Sequence, residues 1–147
     1  MELCNDIPEL VPDVPSFYDL PWRLAFGCPY KNGVIAYFGP GNQTTPLHYD
    51  TLENLTFMVH HRYVPSAAES GQVSGSKTFK LFPPSESALL NPALRSLGTH
   101  YSLLSPTTAE ETDAARYEVV LEKGDMLYLP NCWWHVVHGG EGFNISL

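Results

Sequence analysis

Basic residues are scarce in this chain: eight Lys and Arg stand against sixteen Asp and Glu, a formal net charge of −8. With no basic stripe to track phosphates, nonspecific binding to nucleic acid or to an anionic membrane is disfavoured. Cysteine is scarce too. Cys4, Cys28 and Cys132 are odd in number and carry no paired metal-type spacing, which fits reduced thiols in an intracellular protein better than a disulfide framework. No uninterrupted apolar run is long enough to span a bilayer. The opening Met1-Glu2-Leu3-Cys4-Asn5-Asp6 lacks the basic and apolar regions of a signal peptide. A cytoplasmic or nuclear protein without membrane contact is the expectation.

Proline and glycine, by contrast, are plentiful. Thirteen prolines and eleven glycines spread over 147 residues favour short strands and turns over long helices, and the length suits one domain with a real core. Residues 1–31 hold Pro8, Pro12, Pro15, Pro21 and Pro29, a spacing that reads as an extended lead-in packed on the domain at 32–147. Gly33 to Pro40 is an apolar, β-branched and aromatic run bracketed by breakers, and Leu55 to His60 is a second such run; both read as strands. Residues 61–76, rich in Ser, Gly and Ala, read as an inserted surface loop. Ser85 to Leu90 looks like a short helix capped by its serine, and Thr108 to Arg116 like one or two helical turns. Tyr117 to Leu121 and Met126 to Pro130 flank a Gly-Asp turn as a hairpin-like unit. Cys132 to His138 and Phe143 to Leu147 read as another strand pair around the turn at 139–142.

Side chains on a strand alternate faces. In Thr45-Pro46-Leu47-His48-Tyr49-Asp50 that alternation turns His48 and Asp50 to one side and Tyr49 to the other. An imidazole and a carboxylate converging on one spot supply two of the three ligands of a 2-His-1-carboxylate metal site. His135 and His138 are both candidates for the third, and because they lie on opposite faces of one strand only one of them can face the site. In Lys77-Thr78-Phe79-Lys80-Leu81-Phe82 the same alternation points one of the two lysines inward.

Taken in order, Thr45 to Asp50, Asn54, Gly75-Ser76-Lys77 leading into Leu81-Phe82-Pro83-Pro84, Gly124 to Pro130 and Trp133-Trp134-His135 resemble the JmjC family of iron(II)- and 2-oxoglutarate-dependent oxygenases, in its small, cupin-like hydroxylase branch. The resemblance runs from about Tyr37 to Leu147. It implies an all-β double-stranded β-helix (jelly roll) with a few short helices. Because the chain stops at Leu147 inside a strand-like segment, the barrel is expected to lack its closing strand. His48, Asp50 and His135 are implied to ligate Fe(II), and Thr45 and Lys77 to bind the distal carboxylate of 2-oxoglutarate. Asn54 would line the same pocket, Tyr37 would lie near the substrate, and Ser146 near the cosubstrate. No catalytic side chain is implied beyond the metal centre. The activity implied is O2-dependent hydroxylation, or demethylation of an N-methyl carbon, on a protein or peptide substrate, with RNA as the other substrate class. A catalytically silent cupin-like metal-binding or interaction module is the alternative that the early stop and the insertion suggest.

Overall fold

The computed structural model describes residues 37–58, 75–93 and 99–146. The lead-in at 1–31, the start of the first expected strand and most of the insertion at 61–76 lie outside the described residues. Ten short strands follow one another: β1 (Tyr37–Gly39), β2 (His48–Asp50), β3 (Asn54–Phe57), β4 (Lys77–Phe82), β5 (Pro92–Ala93), β6 (Thr99–Ser102), β7 (Tyr117–Leu121), β8 (Met126–Leu129), β9 (Trp134–Gly139) and β10 (Asn144–Ser146). One five-residue helix, α1 (Pro106–Glu110), lies between β6 and β7. Its start is legible in the residues: the Ser105 hydroxyl accepts from the Thr108 N–H, and Pro106 occupies the first turn, where no N–H partner is needed. The expected Ser85-capped helix is instead a single 3-10 turn, Pro84–Glu86, with no side-chain cap. Among the described residues no helix is long and apolar enough to cross a membrane.

Six strands form one antiparallel sheet in the order β5-β6-β2-β9-β4-β7. The remaining four make the pairs β1-β10 and β3-β8, and a bridge from Met58 to Ser146 joins these pairs edge to edge. The resulting two-layer antiparallel arrangement is that of a cupin jelly roll, the fold class implied by the sequence. Neither expected hairpin forms. β7 pairs with β4 while β8 pairs with β3, and β9 lies between β2 and β4 while β10 pairs with β1. In each case the turn carries the chain from one sheet to the other, so strands adjacent in sequence are not adjacent in a ladder. β10, read from the sequence as the last strand of an open barrel, is engaged by β1 on one side and by Met58 on the other.

Alternation sorts the side chains into two cores. Phe79 and Leu81 of β4, Leu121 of β7, Met58 and Leu129 pack between the sheets. On the other face of the large sheet, Leu47, Phe82, Trp134 and Val136 are covered by Leu90, which lies between the 3-10 turn and β5, and by Ala109 and Ala114 in and after α1. Burial of a large apolar side chain contributes on the order of 1.5–3 kcal/mol, so this outer layer is a substantial part of the fold's stability. Lys80 belongs to it. Its Nζ meets Glu110 Oε2 of α1 at 2.5 Å, and Glu110 Oε1 lies 3.4 Å from His138 Nε2, which latches the helix to β4 and β9.

Trp134 fills the outer core and donates its Nε1–H to Ser87 Oγ at 2.9 Å. Trp134→Ala is expected to destabilise the protein by about 3–5 kcal/mol, read as a lowered urea midpoint. A loss under about 1 kcal/mol would contradict the packing described.

Candidate metal centre

The inner face of the large sheet holds the His-x-Asp pair because β2 is extended and Tyr49 takes the outer face, where it packs edge-on against Trp134 at a ring separation of 4.7 Å. β2 and β9 run antiparallel with His48 directly opposite His135. Registration of these two residues puts both imidazoles on one face, with ring centroids 4.1 Å apart. One ligand atom from each of His48, Asp50 and His135 falls within a mutual spacing of 4.8 Å. The other late candidate, His138, points outward. Its Nδ1 lies 2.9 Å from Thr44 Oγ1 and its Nε2 faces Glu110.

Each of the two imidazoles is set for coordination by a backbone carbonyl. His48 Nδ1 is 2.7 Å from the Pro46 carbonyl oxygen and His135 Nδ1 is 3.0 Å from that of Trp133. A carbonyl can only accept, so Nδ1 carries the proton in both rings and Nε2 keeps its lone pair. His135 is buried. Burial pushes its pKa down to about 4, and His48 adds to the effect, against partial opposition from the Trp133 carbonyl and Asp50. It therefore stands neutral at physiological pH, the form that binds a metal. On Asp50, the Asn54 amide donates from Nδ2 to Oδ2 at 2.9 Å. The turn ahead of β9 is fastened here as well, through a 2.8 Å bond from the Cys132 N–H to the Asp50 carbonyl, with Cys132 in the left-handed region at φ 61°. Two imidazoles and a carboxylate on one face are a donor set that fits a divalent transition-metal ion.

The same inner face carries a half-buried lysine. Lys77 opens β4 on the inner face, and its Nζ donates to Ser146 Oγ at 2.5 Å and lies 5.5 Å from the centre of the Tyr37 ring. Burial lowers its pKa, and no carboxylate among the described residues is within ion-pair distance of it. The register thus turns Lys77, not Lys80, toward the interior, and brings Tyr37 and Ser146 to it from β1 and β10. Partial burial raises the Tyr37 pKa, with Asp50 and Tyr101 contributing, although the residue as a whole is 59% exposed. Thr45 extends the β2-β9 pairing: its N–H donates to the Val137 carbonyl and its Oγ1 accepts from the Val137 N–H, both at 2.9 Å. Asn54 is brought to the ligand carboxylate. Tyr101 is not among the residues that the sequence singles out. It pairs with His48 across β2-β6, and its ring stacks on the imidazole at 5.5 Å. The only signal for it was the alternation of a four-residue strand.

The family model for the cupin-like domain matches residues 1–147, the whole chain. This chain belongs to the cupin-like family of JmjC type. Its similarity to other JmjC-type proteins is spread over several kingdoms. It is 29% identical over 153 residues to an HSPB1-associated protein 1 homolog of Danio rerio, an alignment that covers 96% of this chain and 31% of that protein. It is 31% identical over 108 residues to lysine-specific demethylase JMJ30 of Arabidopsis thaliana, covering 69% of this chain and 22% of the relative. To JmjC domain-containing protein D of Dictyostelium discoideum it is 32% identical over 122 residues, covering 76% and 24%. The JmjC-type chain thus spans about a third or less of the length of these relatives.

The low His135 pKa has a sign that can be worked through. Near pH 6.5 the unfolded chain takes up a proton that the folded chain refuses until about pH 4. The contribution of His135 to stability is therefore complete above about pH 6.5, declines as pH falls through the window and levels off near pH 4. Urea titrations of metal-free protein across this range should show a steeper pH slope for wild type than for His135→Gln. Equal slopes would contradict the burial of a neutral imidazole.

Proposed function

We propose that this chain is the catalytic domain of an Fe(II)- and 2-oxoglutarate-dependent oxygenase that hydroxylates, or through hydroxylation demethylates, a protein side chain. The single observation that carries the proposal is that the His48-Asp50-His135 cluster and Lys77 face the same interior, Lys77 being a half-buried cation without a carboxylate partner among the described residues. A buried ammonium is costly unless an anion meets it, and the distal carboxylate of 2-oxoglutarate is such an anion.

His48 and His135 would hold iron through Nε2 and Asp50 through a carboxylate oxygen. Iron(II) bound there supplies the reaction of O2 with 2-oxoglutarate and a C–H bond, whose balanced products are succinate, carbon dioxide and an alcohol. Lys77 orients the cosubstrate by exchanging its neutral hydroxyl partner Ser146 for a carboxylate, which pairs the ammonium with an anion. The Thr45 oxygen already accepts from Val137 and keeps its own proton to donate to the same carboxylate. Tyr37, reaching from β1 toward both Lys77 and Asp50, walls the cosubstrate from the substrate side. The packed interior between the sheets limits water around the metal.

Relatives named as a lysine-specific demethylase and as proteins associated with HSPB1 support a protein substrate. The net charge of −8 favours a basic protein segment over RNA.

Purified protein with iron(II), ascorbate, O2 and 2-oxoglutarate should release succinate, and His48→Ala should abolish it. Lys77→Met should weaken 2-oxoglutarate by about 10–100-fold, the value of a hydrogen bond to a charged group, while cobalt(II) still binds. Metal binding without succinate across protein and RNA panels would replace this reading with that of a silent metal-binding module.

A further inference from the structure

The candidate ligands lie on two neighbouring strands of the large sheet, β2 and β9, with β4 beyond β9 and β6 beyond β2. Lys77 therefore stands on one flank of the cluster and β6 forms the other. Tyr101 is the β6 residue directly opposite His48, and cross-strand partners share a face of the sheet, so its side chain lies on the metal side. The ring stacks on the His48 imidazole at 5.5 Å with 29° between the planes. One face of the ring is thus taken by a candidate ligand, and the other turns away from it. Across β5-β6 the residue opposite Tyr101 is Ala93, in the two-residue edge strand β5. Its single methyl group is too small to cover a phenol ring, and Tyr101 stays half-buried. Tyr37 gives a second link. Burial, then Asp50, then Tyr101 raise its pKa, so all three residues face one space.

We propose that Tyr101 is a specificity-determining residue on the substrate side of the metal cluster, and that the free face of its ring takes a cationic side chain, lysine or arginine, of the protein substrate. This rests on the oxygenase reading proposed above and names the side chain that the site receives. With the cosubstrate anion drawn to Lys77 beyond β9, the β6 flank is the one left for a second molecule. A tyrosine ring attracts an ammonium or guanidinium group to its face, and its hydroxyl oxygen can accept an N–H from the same cation. The methylene stem of either side chain gains apolar contact along the ring and Ala93. Repulsion from Lys77 is small at this distance, because β6 and β4 are three ladder spacings apart, roughly 14 Å, beyond the screening length of about 8 Å at physiological salt. An acidic side chain would instead approach against the net charge of −8, and an apolar one would gain the burial without the attraction.

The test uses the full chain loaded with manganese(II) and 2-oxoglutarate. The probes are acetylated tripeptide amides with glycine on either side of lysine, arginine or norleucine, the last being the uncharged control. Paramagnetic broadening of the peptide side-chain proton signals reports both affinity and closeness to the metal. The lysine or the arginine peptide is expected to bind about 2–30-fold more tightly than the norleucine peptide, with its side-chain protons broadened most. Tyr101→Phe keeps the ring and should retain most of that preference, whereas Tyr101→Leu should abolish it and leave 2-oxoglutarate affinity at saturating manganese(II) unchanged. With zinc(II) in place of manganese(II), nuclear Overhauser contacts between the bound cationic side chain and the Tyr101 ring should appear, a readout that needs no variant. No preference for either cation in wild type, a preference that survives Tyr101→Leu, or a bound cationic peptide without contacts to the ring would overturn the inference and leave the oxygenase reading standing. A wild-type chain that binds neither manganese(II) nor 2-oxoglutarate would overturn that reading and this inference together.

Discussion

The antiparallel registration of His48 against His135 is the constraint on which the rest of the site depends. It sets two imidazoles on one face of the large sheet and, through the period of two, carries Asp50 to that same face. Because β4 lies on the other side of β9 with Lys77 opposite Gly139 and Leu81 opposite His135, the same register also turns Lys77 inward. A slip of one residue in β2 against β9 would send His48 and Asp50 to the outer layer, away from His135, and bring Tyr49 into the interior. What resists that slip is packing. Leu47, Tyr49, Phe82, Trp134 and Val136 bury together on the outer face under α1, and the candidate metal-binding residues occupy the positions left on the inner one.

The two lysines of β4 show how one strand serves both layers. Lys80 points outward, where Glu110 neutralises it and joins it to His138. Lys77 points inward and has a hydroxyl and an aromatic ring for company. An outer lysine with a carboxylate partner is a latch. An inner one without such a partner among the described residues, on the same face as a candidate metal cluster, is suited to an anion brought from outside.

Much of this was legible in the residues themselves. His48 and Asp50 follow from alternation alone, and alternation in Lys77 to Phe82 requires that one lysine face in, although it takes the pairing of β4 with β9 to say which. Whether His135 or His138 completes the cluster was likewise undecided by periodicity, since the two lie on opposite faces of the same strand. The connections were not legible. Gly124-Asp125 and the glycines at 139–142 carry ordinary turn chemistry, which reads as hairpins, but pairing in this fold joins strands far apart in sequence. Short strands hide residues too. Tyr101 sits in a four-residue strand whose pattern is too brief to stand out from a loop, and the bond from Asn54 to Asp50 depends on a sheet crossing that no local pattern records.

The most direct measurement of the central claim is a crystal structure of the protein with manganese(II) and an oxalyl analogue of 2-oxoglutarate. The account predicts the ion bound by His48 Nε2, Asp50 and His135 Nε2, with the distal carboxylate of the analogue on Lys77 Nζ. A metal held elsewhere, or an analogue bound while Lys77 stays on Ser146, would contradict it.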